Sequence, residues 1–182
     1  MEEMKKIIVI SIFLLSNFIM AQGKIMSKSA NVIFEASVPS FEEVKAINNN
    51  VTVVVNTETG EIASLALMKA FRFKVALMEE HFNENYVESD RYPKAIFKGK
   101  IEGFEVNSLT ATPKDFVING KLELHGKSVA IKASAKMCKT TSGVNLQTNF
   151  WVNASDFDIS IPAIVKNKVA NKVAIQLTAV LR

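Results

Sequence analysis

The chain has 182 residues, 48% of them hydrophobic and 22% charged, with a formal net charge of +4. A surplus that small, scattered along the chain, leaves no footprint for nucleic acid. Cys138 is the only cysteine, which excludes both an intramolecular disulfide and an N-terminal thiol for lipid attachment.

The first residues read as an export leader. Met1-Glu2-Glu3-Met4-Lys5-Lys6 supplies a basic flank, Ile7 to Met20 an apolar-leaning run, and Ala21 a small residue for cleavage. The run falls short of the ~20 residues that a spanning helix needs. Residues 1–21 are therefore expected to be removed as a signal peptide, and 22–182 to form one domain, periplasmic or secreted. No later segment approaches a membrane span, so the mature domain is expected to be soluble.

Asn31 to Val38, Val51 to Thr57 and Glu61 to Phe73 read as strands, the last two joined by a hairpin turn at Glu58-Thr59-Gly60. Ser40 to Ile47 has the form of a short helical turn, with Ser40 capping and Glu43 three residues later. Leu77 to Ser89 sets Leu77, Met78, His81, Phe82 and Tyr86 at helical spacing among glutamates. One amphipathic helix is expected there, ended by Tyr92-Pro93.

From Lys94 onward the apolar residues recur with period two, each run having one dry and one wet face. Ala95, Phe97, Gly99, Ile101 and Gly103 share a face of a strand from Lys94 to Phe104, and only Ile96 and Phe104 break the pattern. Phe116, Ile118, Gly120, Leu122 and Leu124 make the next dry face, and Val129, Ile131, Ala133, Ala135 and Met137 the one after. Val144 to Val152 and Val173 to Leu181 repeat it, with another short helical turn at Ala163 to Ala170 between them. Such faces indicate antiparallel pairing, with tight turns at His125-Gly126 and Ser142-Gly143.

The fold is thus all-β, with about eight strands, one helix and short helical turns. Alternation alone does not choose between a closed barrel and a sandwich. Glycines on dry faces, Gly99, Gly103 and Gly120, favour the barrel, where a missing side chain lets a strand bend or leaves interior room.

Few residues could carry chemistry. His81 shares a helical face with Glu84 and Glu88, a conceivable metal cluster, although carboxylates at that spacing more simply solvate an exposed face. His125 reads as a solvated turn residue, and Cys138 has no CxxC partner. A glycine-rich phosphate loop, a nucleophile elbow and a haem attachment motif are all absent from the sequence. No catalytic residue, metal or cofactor is expected. The mixture of large and small residues on the dry faces suits either a filled core or the lining of a tunnel.

Several blocks carry a resemblance. Ala70-Phe71-Arg72-Phe73, Leu77-Met78-Glu79-Glu80-His81-Phe82-Asn83-Glu84-Asn85-Tyr86 and the run Glu88 to Gly99 with its Arg91-Tyr92-Pro93 come first. Ile118-Asn119-Gly120-Lys121-Leu122-Glu123-Leu124-His125-Gly126 follows, then Phe150-Trp151-Val152 and Ser155-Asp156-Phe157-Asp158-Ile159. In content and order they resemble the YceI-like family over nearly the whole of 22–182. The chain departs from the family's pattern at the start, where Lys28-Ser29-Ala30-Asn31-Val32-Ile33-Phe34 replaces a longer first hairpin.

The resemblance implies an eight-stranded antiparallel barrel, extended and lipocalin-like, holding a long-chain apolar lipid of the polyisoprenoid or isoprenoid-quinone class. Joined to the alternation, it makes Phe34, Phe71, Phe73, Phe97, Ile101, Leu122, Leu124, Ile131, Leu146 and Phe150 the expected lining. A homodimer is compatible with this reading. Two alternatives stay open: a filled barrel serving as a protein-interaction module, and a metal-assisted enzyme acting on a lipid head group through His81 and Glu84.

Overall fold

The computed structural model describes residues 23–182, so the leader expected at 1–21 lies outside the described residues. Nine strands follow in order: β1 (Lys24–Ser37), β2 (Lys45–Asn56), β3 (Glu61–Leu67), β4 (Arg72–Phe73), β5 (Lys94–Ile101), β6 (Lys114–Leu124), β7 (Lys127–Thr140), β8 (Gly143–Asn153) and β9 (Val169–Leu181). One α-helix, α1 (Ala76–His81), runs into a π-helical turn over Phe82–Tyr86.

Eight of these strands close into an antiparallel barrel in the order β1-β9-β8-β7-β6-β5-β3-β2, with β2 pairing back onto β1. A sandwich is therefore excluded. The two-residue β4 continues the line of β3 along β2, after a 3-10 turn at Met68–Ala70 takes up the slack. Glu61 to Phe73, one strand on its pattern, is thus a strand, a turn and a second short strand.

Local chemistry explains most of the turns. His125 (φ 51°) and Gly126 (φ 74°) are both left-handed, and Leu124 pairs with Lys127, which makes a two-residue hairpin of type I′. Gly103 (φ 60°) ends β5 at Ile101 and resets the side-chain phase. That is why Phe104, out of phase by alternation, is buried against Phe116.

Three expectations need correction. Ser40 to Ile47 is not helical: Ser40 has φ 73°, and from Lys45 the chain is already β2, with Ala46 and Ile47 paired to Phe34 and Ile33. The sequence carries the capping pattern, but Glu43 is bonded to Lys74 instead, and the pairing of Val44 with Ala36 and Ser37 outweighs one isolated helical turn. The helical turn at Ala163 to Ala170 is limited to Ala163–Val165, because Val169 already belongs to β9. β1 starts at Lys24, seven residues before the alternation shows it, so the first hairpin is among the longest in the barrel.

The strands run alternately between two ends. The turns at 57–60 and 141–142 and the connection at 102–113 lie at one end; the segments 38–44, 68–93, 125–126 and 154–168 lie at the other. The first end is filled. Ile101, Met137, Leu146 and Leu181 are all essentially inaccessible there, with Leu146 in register with Met137 on one side and Ala179 on the other.

Candidate functional site

The second end is hollow. Side chains from all nine strands surround a cavity of about 400 Å³, within the roughly 300–1,000 Å³ common for small-molecule sites. Seven of the ten expected lining residues face it: Phe34, Phe71, Phe73, Phe97, Leu122, Leu124 and Phe150. The other three do not. Ile101 and Leu146 belong to the filled end, while Ile131 sits beside Trp151 and Val152, where β7 has not yet joined β8.

The floor depends on two missing side chains. Gly99 and Gly120 face each other across β5 and β6, and the Phe97 ring lies over both. A Cβ on Gly120 would come within 2.5 Å of Phe97 Cζ and of the Lys98 carbonyl oxygen. The interior room that these glycines leave is thus occupied by a ring. At Gly103, grouped with them on the pattern, an added Cβ would meet nothing within 4 Å, because the residue sits in a turn.

Four phenylalanines build one wall of the mouth. Phe34 stacks on Phe82 with centroids 5.2 Å apart, and Phe71 and Phe73 stand at 5.4 and 5.6 Å from Phe34 in tilted or edge-on geometry. Phe82 enters from the π-helical turn. There Asn83 Nδ2 donates to the Glu79 carbonyl at 2.8 Å and Val87 N–H reaches back five residues to Phe82 O. A side chain that competes for a helix carbonyl loosens the helix, and the expected helix over Leu77 to Ser89 is accordingly α only over Ala76–His81. Phe82, Met78 and Phe157 are lining residues that alternation could not find, since none of them lies on a strand.

His125 is not solvated. Its side chain is only 10% exposed. Nδ1 lies 2.9 Å from the Phe157 carbonyl oxygen and Nε2 lies 2.8 Å from Glu88 Oε2, while Tyr92 packs edge-on at 4.5 Å between centroids. Both partners are acceptors, so His125 ties the end of the π-helical turn and the 154–157 segment to one barrel turn. Lys127 and Asp158 add an ion pair at 2.8 Å, and the hydrogen bond to Asp158 holds the lysine above its ordinary value. On the far side of the mouth, Lys74 holds the Glu43 carboxyl below its usual range by the hydrogen bond it donates.

Polar lining is sparse. Ser64 and Thr148 lie deep, and Thr148 spends its hydroxyl on the Ser134 carbonyl at 2.9 Å. Glu42, His81, Tyr86 and Lys168 also reach the cavity, all from mouth segments. Among the described residues no group of three His, Cys, Asp or Glu side chains is placed to hold a metal. Glu88, expected on the face of His81, is turned to His125 instead.

A closed antiparallel barrel, packed at one end and hollow and apolar at the other, defines a lipocalin-like barrel with an internal apolar cavity. The YceI-like domain family matches residues 20–181, and the chain belongs to that family. Among solved structures, a polyisoprenoid binding domain from Saccharophagus degradans, implicated in plant cell wall breakdown, superposes with a TM-score of 0.76 at 12% identity, covering 88% of this chain and 98% of that one. Burkholderia cenocepacia BcnA gives 0.68 at 14% identity, with 83% and 94% covered. The Campylobacter jejuni YceI protein gives 0.59 at 16%, with 79% and 88% covered. At these identities the likeness is one of fold. Comparison with curated protein sequences gave no match.

Proposed function

We propose that this is an exported, non-catalytic carrier that holds a long-chain apolar lipid, of the polyisoprenoid or isoprenoid-quinone class, in the hollow half of its barrel. The observation that carries the reading is the cavity itself: about 400 Å³, walled by phenylalanine and aliphatic side chains, with its polar groups confined almost entirely to the mouth. Membership of the YceI-like family supports it, as does the binding specificity named for the Saccharophagus relative. The driving force is desolvation of the chain. Each buried methylene contributes about 0.8 kcal/mol, so about ten of them outweigh a substantial cost of ordering the ligand.

Organic extraction of the purified protein followed by mass spectrometry tests this directly. An isoprenoid chain should be recovered, and a His81→Ala variant should retain it. Recovery of no lipid, together with no uptake of isoprenoid or fatty acyl chains by the stripped protein, would refute the carrier reading.

A further inference from the structure

The exposed apolar residues of the barrel are not spread evenly. Among the described residues, nine large hydrophobic side chains are exposed, and only Met26 and Val180 lie towards the filled end. The rest lie in the mouth half, and the most exposed is Ile164, at 85%, on the tip of the β8–β9 connection. Its neighbour Val165 lines the cavity, so the tip continues the apolar wall outward into solvent.

Beyond Asp158 the charge on this connection has one sign. The sequence contains no acidic residue after Asp158, whereas Lys166, Lys168 and Lys172 all follow it. Lys166 and Lys168 make no ion pair among the described residues. Lys172 lies 4.9 Å from the ring centre of Trp151, which is 59% exposed on the adjoining strand. Of the acids on this connection, Asp158 is paired with Lys127, and Asp156, which accepts from Asn153 Nδ2, lies beside Trp151 and Lys172. Other acids of the mouth lie on different segments. Glu42 is on the 38–44 loop, and Glu80 and Glu84 are on α1 and its π-helical turn, which rise between β3 and β5 across the barrel from β8 and β9.

We propose that the β8–β9 side of the mouth docks on an anionic lipid bilayer, with Ile164 entering the interface, Trp151 lying at head-group level, and Lys166, Lys168 and Lys172 facing lipid phosphates. This rests on the carrier reading and deepens it, since an apolar chain that left a bilayer through bulk water would lose the desolvation gained in the barrel. Two of the seven apolar side chains exposed in the mouth half, Ile164 and Trp151, stand on this side. An amphipathic aromatic ring and neighbouring lysines point to a head-group layer.

Flotation with phosphatidylcholine vesicles, with or without phosphatidylglycerol, provides the test, with organic extraction run on the same preparations. Binding should require phosphatidylglycerol and weaken with salt. A Lys166→Gln/Lys168→Gln variant should bind about 25-fold more weakly, at about fivefold per lysine, and Ile164→Ser about tenfold more weakly. Val180→Ser, at the filled end, should leave binding unchanged, and all three variants should melt like the parent chain. Vesicle binding that the mouth variants leave intact, or none at all while cargo is recovered, overturns the docking proposal and leaves the carrier reading standing. Capture of a protein with no vesicle binding overturns it equally. Vesicle binding lost in the mouth variants but with no lipid ever extracted supports docking while the carrier reading falls.

Discussion

At the residue scale, the glycines opposite each other on β5 and β6 show how a small side chain can shape a cavity without leaving a hole. Phe97 can shift away from a Cβ on Gly120, but the Lys98 carbonyl, equally close at 2.5 Å, belongs to the paired backbone and cannot. Gly120→Ala is therefore expected to cost about 2 kcal/mol through overpacking, which lowers Tm by roughly 4–8 °C in a domain of this size. Thermal melting beside a Phe97→Ala/Gly120→Ala double variant separates the two clashes: relief of the ring alone should recover only part of the loss. Alternation correctly put Phe97 and both glycines on the inner face. It could not say that the ring folds over the glycines, because that depends on which residues two strands bring into register, Gly99 with Gly120.

At the scale of elements, the strands were legible because one dry and one wet face impose period two, and their long hairpins were legible because His125-Gly126 and Ser142-Gly143 interrupt it. The segments over the mouth were less so, since their shape is set by tertiary bonds rather than by periodicity. Asn83 bonded to the Glu79 carbonyl and Glu88 bonded to His125 turn an expected helix into one short α-helix and a π-helical turn. His125 itself looked like a surface residue because its strand position is outward. What buries it is Tyr92 and the 154–157 segment folding over that face. His125→Asn keeps a residue that tolerates the left-handed turn but is too short to reach both acceptors. A loss of about 1–3 kcal/mol is expected, and hydrogen exchange should quicken first in residues 82–92 and 154–158, with the amides of β6 and β7 still protected. Equal loss of protection along those strands would mean that the histidine serves the hairpin and not the mouth.

For the whole molecule, the period-two pattern separates inside from outside but says nothing about depth along the barrel axis. That is why Leu146 and Phe150, alike on the same face of β8, end up in different halves, one in solid packing and one on the cavity wall. On the carrier reading the division assigns stability to one end and cargo to the other, and substitutions should separate the two. Leu146→Ala, at a wholly inaccessible site, is expected to cost about 2–5 kcal/mol while the lipid recovered by extraction keeps its amount and chain length, provided the protein is assayed well below its melting temperature. Ala133→Leu acts in the opposite sense. Ala133 is buried but also lines the cavity, so the larger side chain has empty space to enter, Tm should change little, and the recovered lipid should fall in amount or shift to shorter chains. If Leu146→Ala emptied the barrel at a temperature where it remains folded, or Ala133→Leu left the cargo unaltered, the ligand would have to lie somewhere other than the hollow half.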